Sequence, residues 1–222
     1  LHAALYLYKH YIIILSDSSD QAEGFLSDIK TEMEDNQEIR LDFGNQQGKV
    51  WKSTVILTTG GVKIEAIGSG KKVRGRRHGA WRPDLLVLDD IENDENVNTP
   101  DQRRKLDSWF KKAVSKAGDT YTDIMYIGTI LHYDSLLSNT LKNPEYESRT
   151  YRAVISFSDR DDLWDKWTEL YTNLFDPDHK QHAREFYLEH EAEMLKGTEV
   201  LWPEKLDYYK LMVIKVSDGD AA

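Results

Sequence analysis

A short apolar run that leads directly into acidic residues constrains the fold of this chain more than any other feature. Leu85 to Leu88 is followed at once by Asp89 and Asp90 and, after one isoleucine, by Glu92. A continuous apolar run of this length predicts a strand that is buried on both faces of a parallel sheet. Open α/β sheets bind ligands at the carboxyl ends of such strands. Because these closely spaced carboxylates repel one another unless a cation or a proton separates them, the strand end predicts a ligand site.

The remaining pattern predicts an α/β fold with a mostly parallel sheet. Two further apolar runs, Tyr11 to Leu15 and Asp123 to Thr129, predict buried strands. Helical periodicity lies between the predicted strands, and two alternating runs on either side of Thr58 to Gly61 predict an added β-hairpin. Strands that alternate with helices are typical of a parallel sheet flanked by helices.

The acidic strand end has the form of a Walker B segment, in which one carboxylate holds Mg²⁺ and the next orients the water that attacks a nucleotide phosphate. Asp89 is the predicted Mg²⁺ ligand. Asp90 is the predicted water-orienting acid by its position, and Glu92 is its rival because its side chain is longer. Two alternatives are a strand end followed by a solvated acidic turn, and a metal-dependent nuclease built from these acids and Asp84. Strand alternation would point Asp84 and Asp89 to opposite faces, which counts against the nuclease.

The phosphate cradle that such a site needs does not occur in the sequence. Gly68 to Lys72 comes closest, but the P-loop pattern requires glycine where Glu65 stands and serine or threonine where Lys72 stands. We therefore expect the first strand and the phosphate-binding loop upstream of Leu1. Leu1 to Tyr8 is then the remainder of the helix that follows that loop.

A basic, glycine-rich loop before the acidic strand is the candidate source of positive charge. Arg74 has the planar, bidentate donor group that suits a transferring phosphoryl group. The neighbouring cations are candidates for contacts with DNA or phosphate: Lys71, Lys72, Arg76, Arg77 and Arg82. A solvated loop that balances nearby acids, or contact with a nucleic-acid backbone, would also explain these residues.

Gly128 and Thr129 end the third predicted strand. A small hydroxyl at that point could sense the γ-phosphate and pass its loss to the following segment. The alternative is a simple turn residue.

Composition limits the classes of partner. The net charge of −10 argues against a protein that coats nucleic acid over its whole surface, so any DNA contact is confined to local patches. The chain has no cysteine, which excludes disulfides and thiolate metal sites. No apolar stretch approaches the roughly 20 residues that a membrane helix requires.

In order and spacing, three motifs make the chain resemble the ATPase domain of the large terminase subunit, the DNA-packaging motor of tailed bacteriophages. These motifs are Val73 to Gly75, Arg82 to Glu92 and Tyr126 to Thr129. Leu201 to Leu206 is similar to the segment that leads toward the nuclease domain of that family. The resemblance covers nearly the whole chain, with two departures: the P-loop is absent, and Asp90 stands where glutamate is commoner.

The resemblance implies a P-loop NTPase fold of the ASCE (RecA-like) class, truncated at its N-terminus and ending in a small helical lid region. The implied domains are an ATPase core over 1–157, a lid or linker subdomain over 158–200, and a linker over 201–222 toward an absent nuclease domain.

The family assigns roles that carry over to matching positions. Asp89 corresponds to the metal-binding carboxylate and Asp90 to the catalytic acid. Gly128 and Thr129 correspond to the coupling motif, and Arg74 to a finger that reaches into the neighbouring subunit of a ring.

The implied activity is hydrolysis of ATP with Mg²⁺, coupled to translocation of double-stranded DNA into a procapsid. The implied partners are the portal protein, the small terminase subunit and further copies of the chain, in the host-cell cytoplasm at the portal vertex and with no membrane. Without the P-loop this chain would be inactive. The alternatives are a non-hydrolysing assembly or docking module, and another DNA-dependent motor of the same class.

Overall fold

A six-stranded sheet organises Leu1–Glu147, the first of two units in a computed structural model that describes residues 1–218. The spatial order of the strands is β2-β3-β4-β1-β5-β6. Their bounds are β1 Tyr11–Ser16, β2 Gln47–Trp51, β3 Val55–Thr58, β4 Lys63–Gly68, β5 Leu85–Asp89 and β6 Asp123–Ile127.

The sheet is mostly parallel, as the sequence predicts. β4, β1, β5 and β6 run parallel, whereas β2 and β3 are antiparallel additions beside β4. The predicted hairpin is confirmed as β3 and β4, although Trp51 belongs to β2. All six residues of β1 are buried, because β1 has a parallel neighbour on each side and helices on both faces.

Helices pack on both faces of the sheet at β1. The helices of this unit are α1 His2–Leu5, α2 Ser19–Asp35, α3 Gln37–Phe43, α4 Asp94–Val97, α5 Pro100–Trp109 and α6 Leu136–Thr140. A π-helical turn over Phe110–Val114 continues α5. α2 packs on the face of β1 that carries Ile12 and Ile14, and α5 with its π-helical turn packs on the face that carries Ile13 and Leu15.

The two strands nearest the acidic residues are less buried than predicted. In β5, Leu86 and Leu88 are fully buried, but the alternate residues are only partly buried. β6 is an edge strand, and within residues 1–218 no strand pairs with its outer side. One face of β6 packs on the core, whereas Met125 and Ile127 on the other face are 53% and 51% exposed.

The second unit, Ser148–Ala222, is built around aromatic side chains. Its described elements are β7 Val154–Ser156, α7 Asp161–Tyr171, α8 His179–Met194, β8 Glu199–Val200 and α9 Tyr208–Asp218. Trp164, Trp167 and Tyr208 are buried in one cluster. The stretch predicted as a linker over 201–222 therefore contains a helix that packs into this core, and its last residues, 219–222, lie outside the described part. Among the described residues, none of the helices has the length and apolar character to cross a membrane.

Candidate functional site

The parallel strands bring their carboxyl ends to one edge of the sheet. Asp89 at the end of β5 lies beside Ile127 of β6. On the other side of β5, β1 ends at Ser16, which pairs with Gly68 of β4. From this edge β1 leads to α2 on one face of the sheet, and β5 leads through α4 to α5 on the other. Connections that leave neighbouring strands toward opposite faces open the crevice where α/β sheets bind ligands.

Asp89 holds a carboxylate at this edge in a partly buried position. Partial burial, and secondarily the negative charge of Asp90, raise the pKa of Asp89 above its ordinary value. The folded chain therefore disfavours the ionised carboxylate, and a cation at this position would remove that penalty.

The raised pKa of Asp89 predicts a pH-dependent effect of its removal. The unfavourable contribution is absent below the unfolded pKa near 4 and grows as pH rises through the folded pKa. Near pH 7, Asp89→Asn should therefore increase the free energy of unfolding by less than about 1 kcal/mol, which raises the melting temperature. Near pH 3 the substitution should have no effect. Thermal melts at the two pH values measure this. Asp28→Asn, at an exposed position of α2, should change neither melt; a destabilised Asp89→Asn at neutral pH would contradict the expectation.

Asp90 follows in an unusual backbone conformation. Its φ is +42°, in the left-handed region that aspartate tolerates better than most residues. Its amide donates to the carbonyl of Ile127 at 3.1 Å, which fixes the turn against the end of β6. The side chain is exposed and accepts no hydrogen bond within residues 1–218. This combination presents a free carboxylate to solvent at the sheet edge.

Gly128 lies next to Asp90, directly after the end of β6. A Cβ built on Gly128 would lie 3.4 Å from Asp90 Oδ1 and 3.3 Å from a Leu137 methyl group, so Gly128 is close to both side chains. Thr129 follows in an exposed position. The structure therefore places Gly128 of the predicted coupling pair beside the predicted catalytic acid.

Glu92 is committed to the surrounding structure. It is 7% exposed, and its carboxylate accepts hydrogen bonds from the amides of Leu136 at 2.7 Å and Leu137 at 2.8 Å. The hydroxyl of Tyr126 donates to the same carboxylate at 3.0 Å. Burial and the charge of Glu92 raise the pKa of Tyr126. Glu92 therefore joins β6 to the start of α6, and its oxygen atoms have little capacity left for a water or a metal.

Asp84 lies at the opposite end of β5 from Asp89. Its carboxylate accepts hydrogen bonds from the amides of His10 at 2.7 Å and Tyr11 at 2.8 Å, at the start of β1. A nuclease centre built from Asp84 and Asp89 together is therefore excluded, because the two acids sit at opposite edges of the sheet.

Asp17 and Asn93 also lie in the crevice, although the sequence patterns did not identify them as site residues. Asn93 donates from its side-chain amide to Asp17 Oδ2 at 3.1 Å, across the gap between the ends of β1 and β5. Asp17 Oδ1 and Ser16 Oγ are buried and have no hydrogen-bond partner within residues 1–218. The polar residues directly after the apolar run of β1 were the available signal, but 76 residues separate Asp17 from Asn93.

The cations of the basic loop over 68–82 form no ion pair with Asp89, Asp90 or Glu92 within residues 1–218. Arg76 pairs with Glu65 and donates to the carbonyl of Lys72 at 2.9 Å. Arg82 donates weakly to the carbonyl of Gly118 at 3.4 Å. The other candidates are exposed and make no ion pair within residues 1–218: Lys71, Lys72, Arg74 and Arg77. No helix follows Gly70, which agrees with the exclusion of Gly68 to Lys72 as a phosphate-binding loop.

The metal-binding capacity of the edge is limited to a few carboxylates. Among the described residues, no group of three or more acidic or histidine side chains is arranged to hold a metal ion. Mg²⁺ in nucleotide sites is bound by one or two carboxylates, together with substrate phosphates and waters. Asp89 and Asp90 fit that pattern, because they supply hard oxygen ligands at an open strand end.

Comparison with known proteins does not assign the chain to a family. No protein-family model matches the chain, and no curated protein sequence matches it. Function is therefore inferred from the residues at the sheet edge.

Proposed function

We propose that this chain is part of an ATPase domain of the P-loop ASCE class, in which Asp89 and Asp90 form the Mg²⁺-binding and catalytic edge. The supporting geometry is a mostly parallel sheet with two adjacent carboxylates at its carboxyl edge, neither of which accepts a hydrogen bond or forms an ion pair within residues 1–218. Bound Mg²⁺ would neutralise charge on the phosphates during hydrolysis.

The main support for the proposal is that β6 has an unpaired outer edge and an exposed face within residues 1–218. Parallel sheets are normally covered on both faces, yet Met125 and Ile127 are half exposed and the outer edge of β6 is unpaired within residues 1–218. Strand alternation and register place Asp89 on this same uncovered face, beside Ile127. A parallel strand added outside β6, followed by a helix over this face, would end at the same edge as Asp89. We infer that such a strand and helix bring in the phosphate-binding loop.

The residues then have separate roles. Asp89 would hold the cation, and Asp90 would orient the attacking water because its carboxylate is exposed and unpaired. Glu92 positions β6 and α6, since its oxygen atoms are already occupied. Gly128, which lies beside Asp90, and the exposed hydroxyl of Thr129 would register the state of the nucleotide. Arg74 makes no contact with these acids in residues 1–218, which suits a finger that acts on a neighbouring subunit.

The cellular role follows from the resemblance in motif order. We infer that the ATPase translocates double-stranded DNA into a procapsid, as a ring on the portal protein with the small terminase subunit, in the host-cell cytoplasm at the portal vertex. The 222 residues contain no phosphate-binding loop. That observation favours, as a second candidate, a docking module of the same machine that does not hydrolyse ATP.

Nucleotide binding by a longer chain tests the proposal. The 222 residues, extended upstream through a strand and a Gly-x-x-x-x-Gly-Lys-Ser/Thr loop, should bind a slowly hydrolysed ATP analogue with Mg²⁺ in calorimetric titrations. The unextended chain should bind at least about a hundredfold more weakly, because two or more charge-assisted hydrogen bonds to phosphate are missing. Absence of such a loop from the upstream reading frame, or an extended chain that does not bind, would favour the docking module.

A further inference from the structure

Positive charge is concentrated in two segments of an otherwise acidic chain. Residues 68–82 and 103–117 each contain six lysines and arginines, out of 29 in the chain. The two segments together contain one acidic residue, Asp107, out of 39. The other residues of the chain are therefore strongly acidic.

The fold joins these two segments on one face of the sheet. Val73 of the first segment is buried in the same cluster as Phe110 and Val114 of the second. The indole N–H of Trp109 donates to the carbonyl of Lys71 at 2.8 Å, which fixes the basic loop against the end of α5. Segments about 20 residues apart in the chain thus form one continuous surface.

Apart from Arg74, which the proposed function assigns to a neighbouring subunit, six cations of the two segments are exposed and have no ion pair within residues 1–218. We call them the cationic face: Lys71, Lys72, Arg77, Lys105, Lys112 and Lys116. Other cations of the two segments are already neutralised, for example Arg104 by Asp101 and Lys111 by Asp107 at 2.9 Å. Exposed like charges held together without partners repel one another, so the surface favours a polyanionic ligand.

A shallow depression of about 450 Å³ lies within the face. Its lining residues are Asp101, Arg104, Lys105, Ser108, Trp109 and Lys112. Single-stranded nucleic acid is usually bound through exposed aromatic rings that stack on bases. Here Trp109 is partly buried and its N–H is engaged, and Trp81 stacks on His10 with ring centroids 3.9 Å apart. The ligand suited to this surface is therefore a regular phosphate backbone that is contacted without base stacking.

We propose that the cationic face binds the phosphate backbone of duplex DNA, with α5 and its π-helical turn as a DNA-contacting element. The proposal names a surface for the DNA partner of the proposed function. Its physical basis is charge and packing alone, and the interaction requires no nucleotide. Binding should be independent of base sequence, because backbone contacts carry no direct sequence information.

Binding of a short fluorescein-labelled duplex to the 222-residue chain, followed by anisotropy over a range of salt concentrations without nucleotide, tests this proposal. The double variant Lys105→Glu/Lys112→Glu should weaken binding by at least about tenfold near 0.1 M salt. It should also lower the slope of log affinity against log salt by about 2, since each lost phosphate contact removes roughly one unit.

A matched variant separates a local surface from net charge. Lys49→Glu/Lys52→Glu makes the same charge change at exposed positions in and after β2, on the far edge of the sheet, and should leave affinity within about twofold of the native chain. Equal weakening by both variants, no effect of the first, or preference for polyphosphate over duplex would each overturn the proposal. Because no ATP is present, any of these results would leave the ATPase proposal untouched. Failure of ATP binding by the extended chain would likewise leave the DNA result standing.

Discussion

Asp90→Asn, in the extended chain that tests the proposed function, is expected to lower ATP hydrolysis by a factor of about 10²–10⁴, with binding of Mg²⁺ and ATP retained. The carboxylate of Asp90 is exposed and accepts no hydrogen bond within residues 1–218, so its replacement removes no structural contact there. Asparagine also tolerates the left-handed backbone that Asp90 adopts at φ +42°. The amide bond to Ile127 is unchanged by the substitution.

Steady-state phosphate release measures the hydrolysis rate, and calorimetric titration with the ATP analogue measures binding. Asp94→Asn, at an exposed position close in sequence, is the matched control and should leave turnover within about twofold of native, the range expected of an exposed charge outside the site. A variant at position 90 that turns over normally, beside a Glu92→Gln variant that binds but does not hydrolyse, would reverse the roles assigned to these two acids.

Glu92→Ala is expected to lower the free energy of unfolding of the first unit by roughly 3–5 kcal/mol. The substitution leaves the buried amides of Leu136 and Leu137 without an acceptor, and it removes the partner of the Tyr126 hydroxyl. Unpaired buried donors are costly, because they have lost water and gained nothing in exchange.

Urea denaturation, followed by far-ultraviolet circular dichroism, measures this loss. Glu92→Gln keeps one carbonyl acceptor and should destabilise less than alanine. Glu95→Ala, at an exposed position in α4, should change the unfolding free energy by less than about 0.5 kcal/mol. A Glu92→Ala variant as stable as the native chain would show that the carboxylate is not the structural link inferred from its contacts.

The central strands could be predicted from the sequence because a buried strand is a continuous run of apolar residues. The run from Tyr11 to Leu15 is continuously apolar, and β1 is buried along its whole length. The run before Asp89 likewise marks β5 and places the acid at its carboxyl end. The exposure of Met125 could not be predicted in the same way, since it depends on what packs on that face of β6 and not on β6 itself.

Contacts between distant segments were also beyond the reach of sequence patterns. Glu92 and Asp90 look equivalent as acids near a strand end, and only the packing of α6 shows that Glu92 is occupied. α9 was missed because its apolar residues show weak helical periodicity, and the aromatic cluster that holds Tyr208 and Met212 is assembled from several helices.

The spacing between Asp90 and Glu92 has a mechanical consequence. Ile91, the only residue between them, has no solvent exposure and is packed in the core. We expect a shift of the backbone at Asp90 to displace Glu92, whose carboxylate is bonded to the amides of Leu136 and Leu137 in the first turn of α6. The loop after β5 would then couple the proposed nucleotide site to α6. Loss of a phosphate beside Asp90 would move Glu92 and, with it, the start of α6.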